Sequence, residues 1–420
     1  MWCLTPGHTF PRVSLLAHLN RVSRGTFVTI LLLYLTGSSF AYGAAGAGGQ
    51  ATATVKRPEI IRSFRLTKFY DTPDPLPPGK PGELIRSAAF ERYDLPLHVS
   101  AVRFLYHSRS ASGEDVAASG VVLFPDENPP AGGWPVIAWA HGLTGVARGC
   151  APSLAKNLQS GALLSMYVNV GYAVVATDYT GLGTSFRNAF ADTLSNAWDV
   201  IHSIAAARRA VPQLGSRWIA MGTGEGGMAA VSVAELEHEF RDPSYLGSIA
   251  ISRLADLQDL YGAVNRLSYN SPLFLAYGIK TVYPQFEIKD MLTEKALLPY
   301  QQIGQVCSEP GAAQKASAAA MLKPTWQNSQ FVQKYFSRNR LGLRPADAAL
   351  LVINSEGDPA ITETTKIVTR LCQQKDRVQF EKYRESDPGS VIGDSVRDQI
   401  AWIQARFANR QAPTNCSAQP

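Results

Sequence analysis

Six short runs rich in apolar residues, separated by stretches of helical periodicity, constrain this chain more than anything else in it. They cover residues 135–140, 172–177, 217–221, 246–251, 349–354 and 377–383. A strand with one wet face alternates apolar and polar residues, whereas a mostly apolar run has to be covered on both faces. Between several of the runs apolar residues recur at helical spacing, as at Leu194, Trp198, Ile201 and Ala205, or Val396, Ile400, Ile403 and Phe407. Buried strands alternating with amphipathic helices predict an α/β chain with a mostly parallel sheet and helices on both faces. Ahead of them, 101–106 and 118–124 flank turn chemistry at 110–115 and predict an antiparallel hairpin leading into the sheet.

The alternation breaks over 255–330, a segment rich in Leu, Tyr and Ala. A structureless loop of that length would be anomalous, so a helical cap inserted between two sheet strands is expected. The reading divides the chain into 1–43, a leader; 44–81, a flexible lead-in; 82–254 with 331–410, the core; 255–330, the cap; and 411–420, a tail. Within the lead-in, the proline-rich 73–81 cannot be helical and reads as an extended surface strap. No internal repeat is evident.

The leader carries Arg12, Arg21 and Arg24, no acid, then an apolar run at 27–36 and small residues. That order is the pattern of an export signal, with Ala41-Tyr42-Gly43 before Ala44 as the cut. Extending the apolar run through the small residues to Ala47 approaches the roughly 20 residues of a membrane span, so a retained anchor stays open as the alternative and as the one route to a membrane. Without the three arginines the formal charge of +6 falls to +3, and no basic run interleaved with aromatics appears, which argues against a nucleic-acid partner. The four cysteines beyond the leader are Cys150, Cys307, Cys372 and Cys416. Their wide spacing fits no zinc pattern and, in an exported chain, fits two bridges better; no metal or other cofactor is implied.

The apolar run at 217–221 passes directly into Gly222-Thr223-Gly224-Glu225-Gly226-Gly227 and then a helical stretch at 228–240. Strand, sharp glycine turn and helix form the setting of a hydrolase nucleophile elbow, G-x-S-x-G, in which flanking glycines let strand and helix approach and the central serine is exposed. The central residue here is Gly224. The same six residues satisfy G-x-G-x-x-G, the dinucleotide fingerprint. That motif normally opens the first βαβ unit and is followed by an acid at the end of the next strand. Here it comes mid-sheet and the next run ends in Ile251-Ser252-Arg253, so a structural turn is the better reading.

With Trp139-Ala140-His141-Gly142, Gly149-Cys150-Ala151-Pro152-Ser153 and Ala176-Thr177-Asp178-Tyr179-Thr180-Gly181-Leu182-Gly183 in this order, the chain resembles the secretory lipase family of α/β-hydrolases from about Gly82 to Phe407. The resemblance implies that fold, with a family elbow like G-H-S-Q-G-G lying over residues 222–227. It implies a triad acid at Asp358 and a triad histidine after the following strand. Where the family has something like Y-P-G-A-D-H, this chain reads Tyr383-Arg384-Glu385-Ser386-Asp387-Pro388. The nucleophile position is therefore Gly224 and the imidazole position Pro388. The resemblance also implies backbone oxyanion donors around His141, Gly142 and Glu225, and a bridge between Cys150 and Cys307, which leaves Cys372 and Cys416 for each other.

The missing base does not depend on alignment, because the seven histidines end at His238, before the acid. Glycine offers no nucleophile and proline accepts no proton. In a serine protease either loss alone costs roughly a million-fold in turnover. The expectation is an inactive lipase-like protein, exported, whose apolar cap residues Leu267, Leu273, Phe274, Leu275 and Tyr277 suit an acyl or other lipid-like ligand. Two rivals stand beside it. One is an active lipase or carboxylesterase with machinery moved to Thr223, Glu225, Asp358 or His141; the other is a non-catalytic partner-binding or scaffold protein. For single residues, structural roles are favoured: local packing for His141, a turn acid for Asp358, and for Glu225 an exposed side chain suited to the helix dipole.

Overall fold

The structure, a computed structural model, describes residues 65–418 apart from 264–266, 268–269, 308–316 and 347. The expected leader at 1–43, its cleavage point and the first part of the lead-in fall outside the described residues.

Among the described residues nine strands form one sheet: β1 (Leu84–Ala89), β2 (Val99–Arg109), β3 (Asp115–Pro125), β4 (Trp134–Ala140), β5 (Ala173–Thr177), β6 (Leu214–Thr223), β7 (Tyr245–Ile251), β8 (Leu350–Ser355) and β9 (Val378–Tyr383). Their order is β1-β2-β3-β5-β4-β6-β7-β8-β9. β1 to β3 pair antiparallel, β3 meets β5 antiparallel, and from β5 to β9 every pair is parallel. The expected hairpin is β2 and β3, and each of the six apolar runs is a parallel strand. β1 has no counterpart in the sequence reading. Its Leu-Ile-Arg-Ser-Ala-Ala lacks alternation, half of it is exposed, and pairing with β2 is what holds it.

The helices are α1 (Gly161–Asn169), α2 (Thr193–Ala210), α3 (Glu225–Glu235), α4 (Glu237–Phe240), α5 (Leu257–Gly262), α6 (Ser271–Val282), α7 (Glu294–Gln302), α8 (Gln330–Arg338), α9 (Ile361–Gln373), α10 (Val391–Asp394) and α11 (Val396–Phe407). The two-residue repeat of each strand sorts its side chains between two layers. On β4, Val136 and Ala138 join the cluster under α2 and α3, while Ile137 and Trp139 join the one under α1 and α11. Fully apolar strands are thus the consequence of two covered faces. The chain leaves β4 through α1 to β5 on one side and returns through α2 to β6 on the other. The connections thus diverge at the carboxyl ends of β4 and β6, the place where ligands bind in open α/β sheets.

Between β7 and β8 the chain makes the helical insertion, α5 to α8, around its own cluster of Leu257, Tyr261, Phe274, Phe286 and Trp326. Val332, Tyr335 and Phe336 of α8 belong to the same cluster, so the insertion's packing runs past 330. Leu273, Phe274 and Leu275 are core residues of the insertion, with Leu267 and Tyr277 packed against it. Disulfides join Cys150 to Cys307 and Cys372 to Cys416, and the first ties the insertion to the turn after β4. Arg338 donates to Asp192 at 2.7 Å and Thr193 N–H to Asn339 Oδ1 at 2.7 Å, fastening α8 to the start of α2.

The expected flexible lead-in over 44–81 needs correcting for its described part. Tyr70 is fully buried and its hydroxyl lies 2.8 Å from Ser153 Oγ. The strap is extended but fixed: Gly79 N–H donates to Asp115 Oδ2 at 2.8 Å and Arg109 to Gly79 O at 3.2 Å. Among the described residues no helix is long and apolar enough to cross a membrane, and no group of three or more His, Cys, Asp or Glu could hold a metal.

Candidate active site

β6 ends at Thr223 and α3 begins at Glu225, so the whole reversal is made at Gly224, with φ 56° and ψ −118°. Only glycine adopts this without strain; another residue there costs about 1–3 kcal/mol. Gly224 N–H donates to Ile251 O at 3.0 Å, and Met228 N–H to Gly224 O at 3.0 Å, which pins the turn between β7 and the first turn of α3. The flanking glycines serve a different need. A Cβ on Gly226 would stand 1.9 Å from Ala140 O, and one on Gly222 2.3 Å from Gly226 O. A Cβ on Gly224 would meet no heavy atom within 4 Å. The turn is therefore tight on both sides and open at its tip, the shape that exposes a side chain in an elbow.

His141 leaves the end of β4 and is 6% exposed. Its ring lies 4.3 Å from that of Tyr179, with Nδ1 2.6 Å from Gly142 O and Nε2 3.1 Å from Asp178 O. Both ring nitrogens are engaged with backbone. A Cβ on Gly142 would be 3.2 Å from Thr223 O, so the His141-Gly142 segment abuts the elbow directly. Asp178 is buried and accepts from Ser119 Oγ and from the backbone and hydroxyl of Ser153, which binds the end of β5 to β3 and the turn after β4. Burial pushes its pKa up, and those donors hold it back.

Glu225 is not the exposed side chain expected. The 190–196 segment folds over it, and Oε1 accepts from Ala191 N–H at 2.9 Å and Asn196 Nδ2 at 3.0 Å. Burial raises its pKa; the Ala191 amide, His141 and Asn196 act in the opposite direction.

Asp358 follows β8 and is 2% exposed. Oδ2 accepts from Arg253 N–H at 2.9 Å and Oδ1 from Ala360 N–H at 2.8 Å. Ser252 Oγ stands 3.3 Å from Asp358 Oδ2 and 3.0 Å from Pro388 O, so one hydroxyl lies between the acid after β8 and the proline after β9. Ser252 and Arg253 both have positive φ, 58° and 50°, which turns the chain to reach that position. Gly224, Asp358 and Pro388 all fall at the carboxyl ends of their strands, linked through Ile251 and Ser252 at the end of β7. Nothing in the sequence marked Ser252, nor Asn196 as a partner of Glu225, because both depend on long-range packing.

A second Ser, His, Asp grouping comes together elsewhere. Ser108 Oγ lies 3.2 Å from His202 Nδ1 and also bonds Asp199. The serine bridges the other two instead of facing a base held by the acid, and it is wholly buried. Burial lowers His202 to about 4 and raises Asp199 to about 6, as expected of a closed structural cluster.

Residues 158–415 match the model of a family described as secretory lipase. No curated protein matches the chain. Among solved structures it is similar to Candida antarctica lipase A in its closed state, at 16% identity and TM-score 0.69, over 83% of this chain and 88% of that one. It is also similar to the rice cell wall degrading esterase LipA of Xanthomonas oryzae, at 16% identity and TM-score 0.63, over 78% of this chain and 98% of that one. At such identities the likeness shows the fold, which is that of the α/β-hydrolases.

Proposed function

Because the chain belongs to the secretory lipase family, we propose that it is a member without ester turnover, an extracellular α/β-hydrolase with its elbow intact and its triad lost. One observation carries the reading: the residue at the open tip of the elbow is Gly224, so the turn presents no oxygen to attack a carbonyl. The environment of Asp358 supports it. An acid that orients a catalytic imidazole needs a free carboxylate edge facing that ring. Here Asp358 keeps acceptor capacity beyond its two backbone N–H partners, but what meets it beside β9 is the Ser252 hydroxyl, and the position after β9 is Pro388, which offers no ring to accept a proton. Two disulfides and the secretory family suggest an extracellular setting, and export through the leader at 1–43 belongs to this proposal.

What remains for such a protein is binding. The switch between β4 and β6, beside the N-terminus of α3, is where this proposal places an acyl or other lipid-like ligand. The rival with relocated chemistry rests on Glu225, a half-buried carboxylate with a raised pKa beside the elbow. Its Oε1 already holds two donors, which is the pattern of a brace between α3 and the 190–196 segment. A panel of esters, from short acyl nitrophenyl esters to long triglycerides, separates the two. The proposal expects no turnover above a heat-treated control. Turnover in the unaltered protein that is abolished by Glu225→Gln would replace it with the rival.

A further inference from the structure

β9 is the last strand of the sheet, and its outer edge is closed by the chain's own tail in an unusual way. Residues 411–415 form no strand, yet Asn415 N–H donates to Val378 O at 3.1 Å and Thr414 Oγ1 donates to the same oxygen at 3.0 Å. The Asn415 side chain does the rest. Phe380 N–H donates to Asn415 Oδ1 at 2.9 Å, and Asn415 Nδ2 donates to Phe380 O at 2.9 Å. A planar carboxamide thus imitates one peptide unit of a tenth strand, satisfying donor and acceptor of the edge residue together. Besides these bonds the described tail buries Ala412, and its next residue, Cys416, is bridged to Cys372 at the end of α9.

Few bonds, made by a segment with no regular structure of its own, form a weak grip on an edge where water competes for every group. The bridge makes that grip persistent by keeping the tail beside β9. An uncovered edge strand is a template for another strand. β9 has little to discourage pairing: Val378-Gln379-Phe380-Glu381-Lys382-Tyr383 contains no proline, and its one acid and one base leave it without net charge. Two copies could therefore meet there about a two-fold axis without net repulsion.

We infer that the outer edge of β9 is a strand-docking surface which the tail keeps closed, and that the Cys372–Cys416 bridge decides whether the tail or the β9 edge of a second copy occupies it. This is independent of whether the chain hydrolyses esters.

The test is the full chain carrying Cys372→Ser with Cys416→Ser, weighed by light scattering over a hundred-fold range of concentration beside the unaltered protein under non-oxidising, non-reducing conditions. The variant is expected to double in mass with rising concentration while the unaltered protein does not. Backbone groups of β9 face outward at every second residue, so Lys382 follows Phe380 in doing so. Adding Lys382→Pro, which removes one outward N–H, should return the variant to the lower mass, as should an added peptide of residues 411–418 with serine at 416. A variant with the same mass as the unaltered protein at every concentration overturns the inference, and so does a mass gain that neither the proline nor the peptide reverses. Asn415→Ala with the bridge intact is the companion measurement. It should speed hydrogen exchange at the Phe380 amide at least ten-fold without doubling the mass; doubling there would mean that the bridge decides nothing.

Discussion

Replacing either Gly224 or Gly226 by alanine makes the same chemical change two residues apart, and the two should differ sharply in cost. At Gly224 the added Cβ has open space, so the penalty is the backbone conformation at φ 56°, ψ −118°, about 1–3 kcal/mol. Losing glycine's freedom in the unfolded chain returns about 0.4–1 kcal/mol, leaving a net loss of about 1–2 kcal/mol. At Gly226 the Cβ would lie 1.9 Å from Ala140 O and 2.7 Å from His141 O, against an ordinary contact of 3.4 Å or more. The end of β4 and the start of α3 would have to part by roughly 1.5 Å to clear Ala140 O. Both are backbone in a packed interior, so the cost exceeds the usual overpacking range of about 1–3 kcal/mol and should pass about 4 kcal/mol. Urea unfolding measures both, read as midpoint shifts at unchanged slope. Equal losses, or a larger one at Gly224, would refute the view that the elbow is tight at its flanks and open at its tip.

Other consequences follow from the same structure. His202, 9% exposed and lowered by burial from 6.5 to about 4, adds stability that is complete above pH 6.5 and lost as pH falls through 4, at most about 3 kcal/mol; His202→Gln should flatten that part of a stability profile. Glu235, 7% exposed and raised from 4.5 to about 7, works in the opposite sense, favouring the fold below pH 4.5 and losing that contribution as pH rises through 7. Glu235→Gln should therefore gain most over the parent at pH 8 in the same urea measurement, and a gain confined to pH 4 would contradict the sign. Replacing Cys150 and Cys307 together by serine opens a loop spanning 157 residues and should cost about 5 kcal/mol in the chain-entropy model, seen as a lower urea midpoint.

The parallel sheet was legible because covering both faces leaves a strand apolar throughout, and the elbow because four glycines in six residues mark a sharp turn where strand and helix nearly touch. The boundary of the insertion was less legible. Its composition changes near 330, but packing is decided by the stripe Val332, Tyr335 and Phe336, which reads equally well as core or insertion. Glu225 reads as exposed because a helix N-terminus is usually wet, and only the fold brings residues 190–196 over it. Ser252 was invisible for a related reason: a single serine at a strand end acquires meaning only once β8 and β9 lie beside it. Tyr70 shows the same limit, an aromatic in a proline-rich approach that becomes core because Ser153 comes to meet it.

The central claim is that Gly224 and Pro388 leave this elbow without nucleophile or base. The most direct measurement is intact-mass labelling by a serine-directed organophosphonate, applied to the unaltered protein and to Gly224→Ser with Pro388→His, with Ser252→Gly added to free the edge of Asp358. The account predicts no adduct on the unaltered protein, and on the rebuilt one an adduct that maps to residue 224 and is absent when either of the first two changes is made alone. A stoichiometric adduct on the unaltered protein would contradict it.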